Sequence, residues 1–162
     1  MALYGKLETD VEIKALAEKF HELIHQKPHH ISKASSDKIQ GVELHEGEWG
    51  KVGSILYWHY VHEGKACVSK RVIEAVDEEN NSLTWKEIEG DLSKHYKNFR
   101  IKVQCIPKDK GSVIHITLEY EKLHEQIPDS HTFLQLCVDT AKDIDAHLMG
   151  YDNEGSCIAA KA

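Results

Sequence analysis

Phe99-Arg100-Ile101-Lys102-Val103-Gln104-Cys105-Ile106-Pro107, Lys108-Asp109-Lys110-Gly111 and Ser112-Val113-Ile114-His115-Ile116-Thr117-Leu118-Glu119-Tyr120 form one unbroken stretch, and its reading decides the fold. Phe99, Ile101, Val103 and Cys105 share one parity of the first part, with Arg100, Lys102 and Gln104 opposite. Ile114, Ile116, Leu118 and Tyr120 do the same in the last part. Period two with one wet face is the pattern of a half-buried strand. The polar break at Lys110-Gly111 is too short for a crossover, so the two strands are antiparallel neighbours. Their apolar face needs a cover, and the chain supplies one directly downstream. After Pro128, Asp129 and Ser130, the residues Phe133, Leu134, Cys137, Val138, Ala141, Ile144 and Leu148 recur at helical spacing, with Gly150 as a stop.

Working outward, the same strand chemistry extends back to Ile39. Candidate strands are Ile39–His45, Ser54–His62, Ala66–Asp77 and Leu83–Glu89, separated by turns at Gly47, Gly50 and Gly53, Glu63-Gly64, Glu79-Asn80-Asn81-Ser82 and Gly90-Asp91. A further strand from Leu3 to Ile13 is alternating, and a helical stripe of Leu16, Phe20, Leu23 and Ile24 follows it. Pro28 limits that helix, and Ile31 to Ser35 offers a second short turn. The expectation is an α+β fold: a seven-stranded curved antiparallel sheet around a long C-terminal helix, plus two short helices, with the first strand closing on the last. Residues 1–150 are expected to form one domain, and 151–162, without periodicity, a disordered tail.

Composition narrows the partners. Lys plus Arg number 20 against 27 for Asp plus Glu among 162 residues, a net charge of −7. That balance argues against sequence-independent binding to nucleic acid or to anionic membranes. No apolar run approaches the length of a bilayer span, and no basic stretch precedes an apolar signal region. A cytoplasmic protein with Cys67, Cys105, Cys137 and Cys157 reduced is the expectation, as a monomer or weak dimer.

The run His45-Glu46-Gly47-Glu48-Trp49-Gly50-Lys51-Val52-Gly53-Ser54 resembles the glycine-rich loop of the plant major latex protein-like family. Ile39-Gln40-Gly41-Val42, Ala75-Val76-Asp77-Glu78-Glu79, Glu89-Gly90-Asp91 and Tyr120-Glu121-Lys122-Leu123 are similar in the same order, over about residues 1–149. That family sits in the birch pollen allergen superfamily with the class-10 pathogenesis-related proteins. The resemblance implies a helix-grip (START-like) fold around an internal cavity that binds hydrophobic small molecules without a cofactor, linked to plant defence or stress. Some members of the superfamily are cyclases and isomerases, so a cofactor-free enzyme of specialised metabolism is the alternative.

Two motifs suggest other chemistry. His21-Glu22-Leu23-Ile24-His25 matches H-E-x-x-H, the spacing that puts two zinc ligands on one helix face. The extended protease form asks for Gly and His where Pro28 and Ile31 stand, so the match is read as a coincidence on a solvated face, with no metal expected. His29 and His30 lie nearby as adventitious ligands. The Gly47–Ser54 segment mimics a phosphate loop, but His45 and Val52 break the spacing and a strand follows instead of a helix.

Strand parity then proposes a lining for the cavity. Leu56, Trp58 and Tyr60 form the bulkier set of their strand, and pairing even residues with even places Val68 and Lys70 inward beside them. Trp85 carries Glu87 inward; Phe99, Ile101, Ile114, Ile116, Leu118 and Tyr120 follow from the opening stretch. The long helix adds Leu134, Cys137, Val138 and Ala141, and Phe20 and Leu23 stand at the entrance. Tyr60, Lys70 or Glu87 would orient a ligand. Glu87 is also the one candidate catalytic residue, as a general base with a pKa raised by burial, unless it is simply hydrated at the cavity mouth.

Overall fold

The computed structural model describes residues 3–150; the tail expected over 151–162, and Cys157 with it, lies outside the described residues. Seven strands run β1 (Tyr4–Ile13), β2 (Ile39–Glu46), β3 (Ile55–His62), β4 (Lys65–Asp77), β5 (Ser82–Gly90), β6 (Tyr96–Pro107) and β7 (Ser112–Lys122). Helices α1 (Ala17–Gln26) and α2 (Ile31–Ala34) lie between β1 and β2, and α3 (His131–Leu148) follows β7. The strands form one antiparallel sheet in the order β1-β7-β6-β5-β4-β3-β2, so the first strand closes on the last. Register shifts between β2 and β3, β4 and β5, and β6 and β7 mark the bulges that help the sheet curve.

Alternation in sequence becomes alternation in burial. Ile101 faces Leu118 and Cys105 faces Ile114 across β6 and β7, all four buried, while Arg100 opposite Glu119 lies on the outer face. Gly5 in β1 is opposite Tyr120, and a Cβ there would collide with the Tyr120 ring. The small residue is what lets that ring lie flat against the sheet edge.

The β3–β4 turn corrects one expectation. Glu63 and Gly64 both have positive φ, 53° and 76°, which is the two-residue turn that matches strand twist. It pairs His62 with Lys65, and hence Trp58 with Ser69 and Leu56 with Arg71. A two-residue loop always opposes an even residue to an odd one. The inner face of β4 is therefore Ser69, Arg71 and Ile73, all buried, and Val68 and Lys70 are half-buried on the outer face. The even-with-even pairing that placed Val68 and Lys70 inward is wrong for that reason.

Helix α3 is held at both ends by polar contacts that periodicity does not reveal. At its start, Tyr96 Oη donates to the Pro128 carbonyl at 2.6 Å, and Tyr120 Oη donates to Asp129 at 2.7 Å while accepting from Ser130 N–H at 3.1 Å. Near its end, Asp145 accepts the backbone N–H groups of Lys14 at 3.1 Å and Ala15 at 2.9 Å. Asp143 accepts from Ser35 Oγ at 2.7 Å and Lys38 Nζ at 2.8 Å. Its inward stripe is narrower than the sequence face: Phe133, Ala141 and Ile144 are buried, and Leu134 and Val138 are half-buried on its flanks.

Candidate functional site

Between the concave sheet and α3 lies a hollow of about 80 Å³. Its walls come from Phe20 and Ile24 on α1, Ile31 and Ile39, Trp58, Trp85, Ile101, Val103, Ile114 and Ile116 on the sheet, and Phe133, Leu136, Cys137, Ala141 and Ile144 on α3. Nearly all of these are aliphatic or aromatic. The two indoles meet edge to face, centroids 5.6 Å apart at 76°. The polar exceptions are Arg71 and Thr140.

Arg71 is the one charged residue on the wall, and it is held in place. Its Nε donates to Ser69 Oγ at 2.8 Å, and its guanidinium lies over the Trp58 ring at 4.6 Å, with the Tyr60 and Phe133 rings at 5.9 Å. Burial pulls its pKa below the ordinary arginine value, but a guanidinium starts so high that it keeps its proton. Ser69 in turn donates to Glu87, whose other oxygen accepts from Ser93 at 3.1 Å. Desolvation raises the Glu87 pKa, opposed by Ser69, Arg71 and Ser93. Glu87 thus backs Arg71 through a hydroxyl instead of facing the hollow.

Several buried polar atoms have no hydrogen-bond partner among the described residues: Trp58 Nε1, Trp85 Nε1, Thr140 Oγ1 and Tyr60 Oη. Three of the four belong to residues that line the hollow. Buried donors are rarely left unpartnered, so these groups can serve a ligand or water that brings acceptors. Burial raises the Tyr60 pKa and pushes the Cys137 thiol up to about 12, so both are neutral at physiological pH. Neither is a ready nucleophile or base.

Of the residues expected at the site, Phe20, Trp58, Trp85, Ile101, Ile114, Ile116, Cys137 and Ala141 do line the hollow. Leu23, Leu56, Phe99 and Leu118 are buried core behind it. Tyr120 stacks on Phe99, centroids 5.4 Å apart, and spends its hydroxyl on the start of α3. Tyr60 borders a separate, more polar cleft of about 490 Å³ near the start of α3. Its ring meets Phe133 edge to face at 5.9 Å, so this pair is the partition between cleft and hollow. Arg71, Ser69 and Thr140 were not anticipated. The two-residue turn at Glu63-Gly64 is the signal that would have turned Arg71 inward.

The H-E-x-x-H histidines also depart from expectation. His21 and His25 are 3% and 4% exposed, not on a solvated face. It is Glu22 that points to solvent, 3.6 Å from Lys27 Nζ.

An antiparallel sheet gripping one long helix over an apolar hollow is the helix-grip class of ligand-binding domain. Residues 2–150 match the pathogenesis-related protein Bet v 1 family, and the chain belongs to that family. It is 55% identical over 150 residues to MLP-like protein 43 of Arabidopsis thaliana, covering 91% of this chain and 95% of that one. The crystal structure of major latex-like protein 151 from Panax ginseng superposes with a TM-score of 0.89 at 38% identity, over 91% of this chain and 99% of that one. A norcoclaurine synthase from Thalictrum, solved with a transition-state analogue, shares the fold at TM-score 0.67 and 19% identity, over 89% of this chain and 95% of that one. No helix among the described residues is long and apolar enough to cross a membrane.

Proposed function

We propose that the chain binds and carries a hydrophobic small molecule in the hollow under α3, and that the ligand has an apolar body with one anionic or acceptor-rich head seated on Arg71. The observation that carries this is the wall itself: apolar side chains all round, one buried cation, and unpartnered donors on Trp58, Trp85 and Thr140. A site that offers donors and no free carboxylate selects a ligand that supplies acceptors. Proteins of this fold generally take hydrophobic ligands, which agrees. On this reading the protein works in the cytoplasm in plant defence or stress, in keeping with a family described as pathogenesis-related.

A hollow of about 80 Å³ holds a few water molecules, while sites for drug-sized ligands span roughly 300–1,000 Å³. Entry therefore requires movement. The Tyr60–Phe133 partition offers a route, because rotating Phe133 would join the hollow to the cleft of about 490 Å³ beyond it.

The test is to incubate purified protein with a hydrophobic plant extract and compare the bound and free fractions by mass spectrometry. A retained, unchanged compound carrying a carboxylate or similar head is the expected result. A compound consumed, with an isomeric or cyclised product appearing, would overturn carriage in favour of catalysis.

A further inference from the structure

Helix α1 carries a second polar cluster one step round from Phe20 and Ile24. His21 and His25, one helical turn apart, both turn toward Glu78, which stands just past the end of β4. His25 Nδ1 is 3.0 Å from Glu78 Oε1, and His21 Nε2 is 3.6 Å from Glu78 Oε2. One ligand-type atom from each residue lies within 4.8 Å of the other two. The other ring nitrogen of His25, Nε2, is 2.6 Å from the Gly50 carbonyl. A carbonyl only accepts, so Nε2 carries a proton, and an Nδ1 without one turns its lone pair on the carboxylate. The Gln26 amide, at 3.3 Å, is the donor within reach of that lone pair. Among the described residues His21 has no hydrogen-bond partner on either nitrogen, although it is 3% exposed.

Lone pairs and a carboxylate that face one another need a positive species between them. A proton on His25 satisfies one contact and leaves His21 unpartnered. A divalent ion satisfies all three groups. We propose that His21, His25 and Glu78 form a binding site for a divalent transition metal of the zinc class, clamping α1 to the β4–β5 turn. Two imidazoles and one carboxylate are a zinc-type donor set, whereas calcium and magnesium sites are built from oxygen. Ligand atoms around a tetrahedral zinc lie about 3.4 Å apart; the 3.0 and 3.6 Å contacts, one to each Glu78 oxygen, and the 4.8 Å limit on the whole trio leave small adjustments to reach it. The Gly50 carbonyl is the outer partner that fixes the tautomer of a ligating histidine. Gly50 has φ of 80°, a conformation that L side chains rarely adopt, so glycine suits the point where the loop comes up to the ring.

The site is structural and not proteolytic. Glu22, the residue a zinc protease would use as its base, is exposed and faces Lys27. The metal joins three segments: α1, the β4–β5 turn and, through Gly50, the β2–β3 loop. Because α1 supplies Phe20 and Ile24 to the hollow, the ion braces one wall of the ligand site.

The experiment is calorimetric titration of chelator-stripped full chain with zinc chloride, repeated with cobalt(II) to read coordination from the visible spectrum. The expected result is a single zinc per chain and a cobalt spectrum of four-coordinate character. Glu78→Gln is the informative variant, since the Glu78 side chain is exposed and its loss leaves the packing alone. It should weaken binding by more than about tenfold, His25→Gln should abolish it, and His29→Gln should leave it unchanged. Binding that is absent in the wild type, indifferent to Glu78→Gln, or lost with His29→Gln alone would overturn the assignment.

Discussion

Replacing Arg71 by methionine tests the ligand's chemical class directly. The thioether fills much of the volume of the arginine stem but removes the only cation that the described residues place on the wall of the hollow. A ligand head hydrogen-bonded to a charged group gains about 1.5–3 kcal/mol net, which is roughly a ten- to 150-fold difference in Kd. The substitution alone would strand Glu87 beside Ser69 and Ser93, so the double variant Arg71→Met with Glu87→Gln is the cleaner protein, having lost both charges together. The assay is calorimetric comparison of a medium-chain fatty acid with its methyl ester at pH 7.5. Wild type should favour the acid by the factor above, and the double variant should bind acid and ester alike or prefer the ester. An unchanged acid-to-ester ratio in the double variant would refute the reasoning, because the apolar wall would then be selecting without the cation.

Other perturbations have equally definite outcomes. Trp85→Ala should weaken binding of the same acid and lower stability by about 3–5 kcal/mol, read by urea unfolding, since it opens a hole against Trp58. Lys70→Gln and Val68→Thr should leave affinity within about twofold, being surface changes on the outer face of β4; a large loss from either would restore the rejected register. Asp145→Ala should cost about 2 kcal/mol and roughly 4–8 °C in Tm by calorimetry, because the buried Ala15 N–H loses a charged acceptor. His115 is held above the ordinary imidazole value of 6.5, first by its hydrogen bond to Asp10 and then by Glu8. Its folded-state pKa is raised, so its contribution is complete below 6.5 and disappears as pH rises through the raised value. The ring is partly exposed and solvent screens the pair, so the clearest readout is an NMR titration that moves back toward 6.5 in Asp10→Asn.

The alternation of Phe99–Tyr120, the helical period after Ser130 and the short polar breaks between strands determine the architecture, because period and loop length are local properties that a curved antiparallel sheet inherits unchanged. The apolar lining was legible for the same reason at Trp58, Trp85, Ile101, Ile114, Ile116 and Ala141. What depended on pairing was not. Whether Lys70 or Arg71 enters the hollow turns on one residue of register at Glu63-Gly64, and both neighbours are cations, so composition offers no vote.

Polar fastenings between residues far apart in the chain were beyond sequence patterns altogether. Tyr120 reads as ligand wall and instead anchors Asp129 and Ser130; Asp145, outside the apolar stripe of its helix, caps the chain at Lys14 and Ala15. His21 and His25 were recognisable as a motif, but their burial against Glu78, more than fifty positions away, appears only when the β4–β5 turn has been brought up to α1. Local period specifies which face of each element is apolar. Tertiary packing alone decides which polar group on that face meets a partner, because that choice is made by register and by the crossing of distant elements.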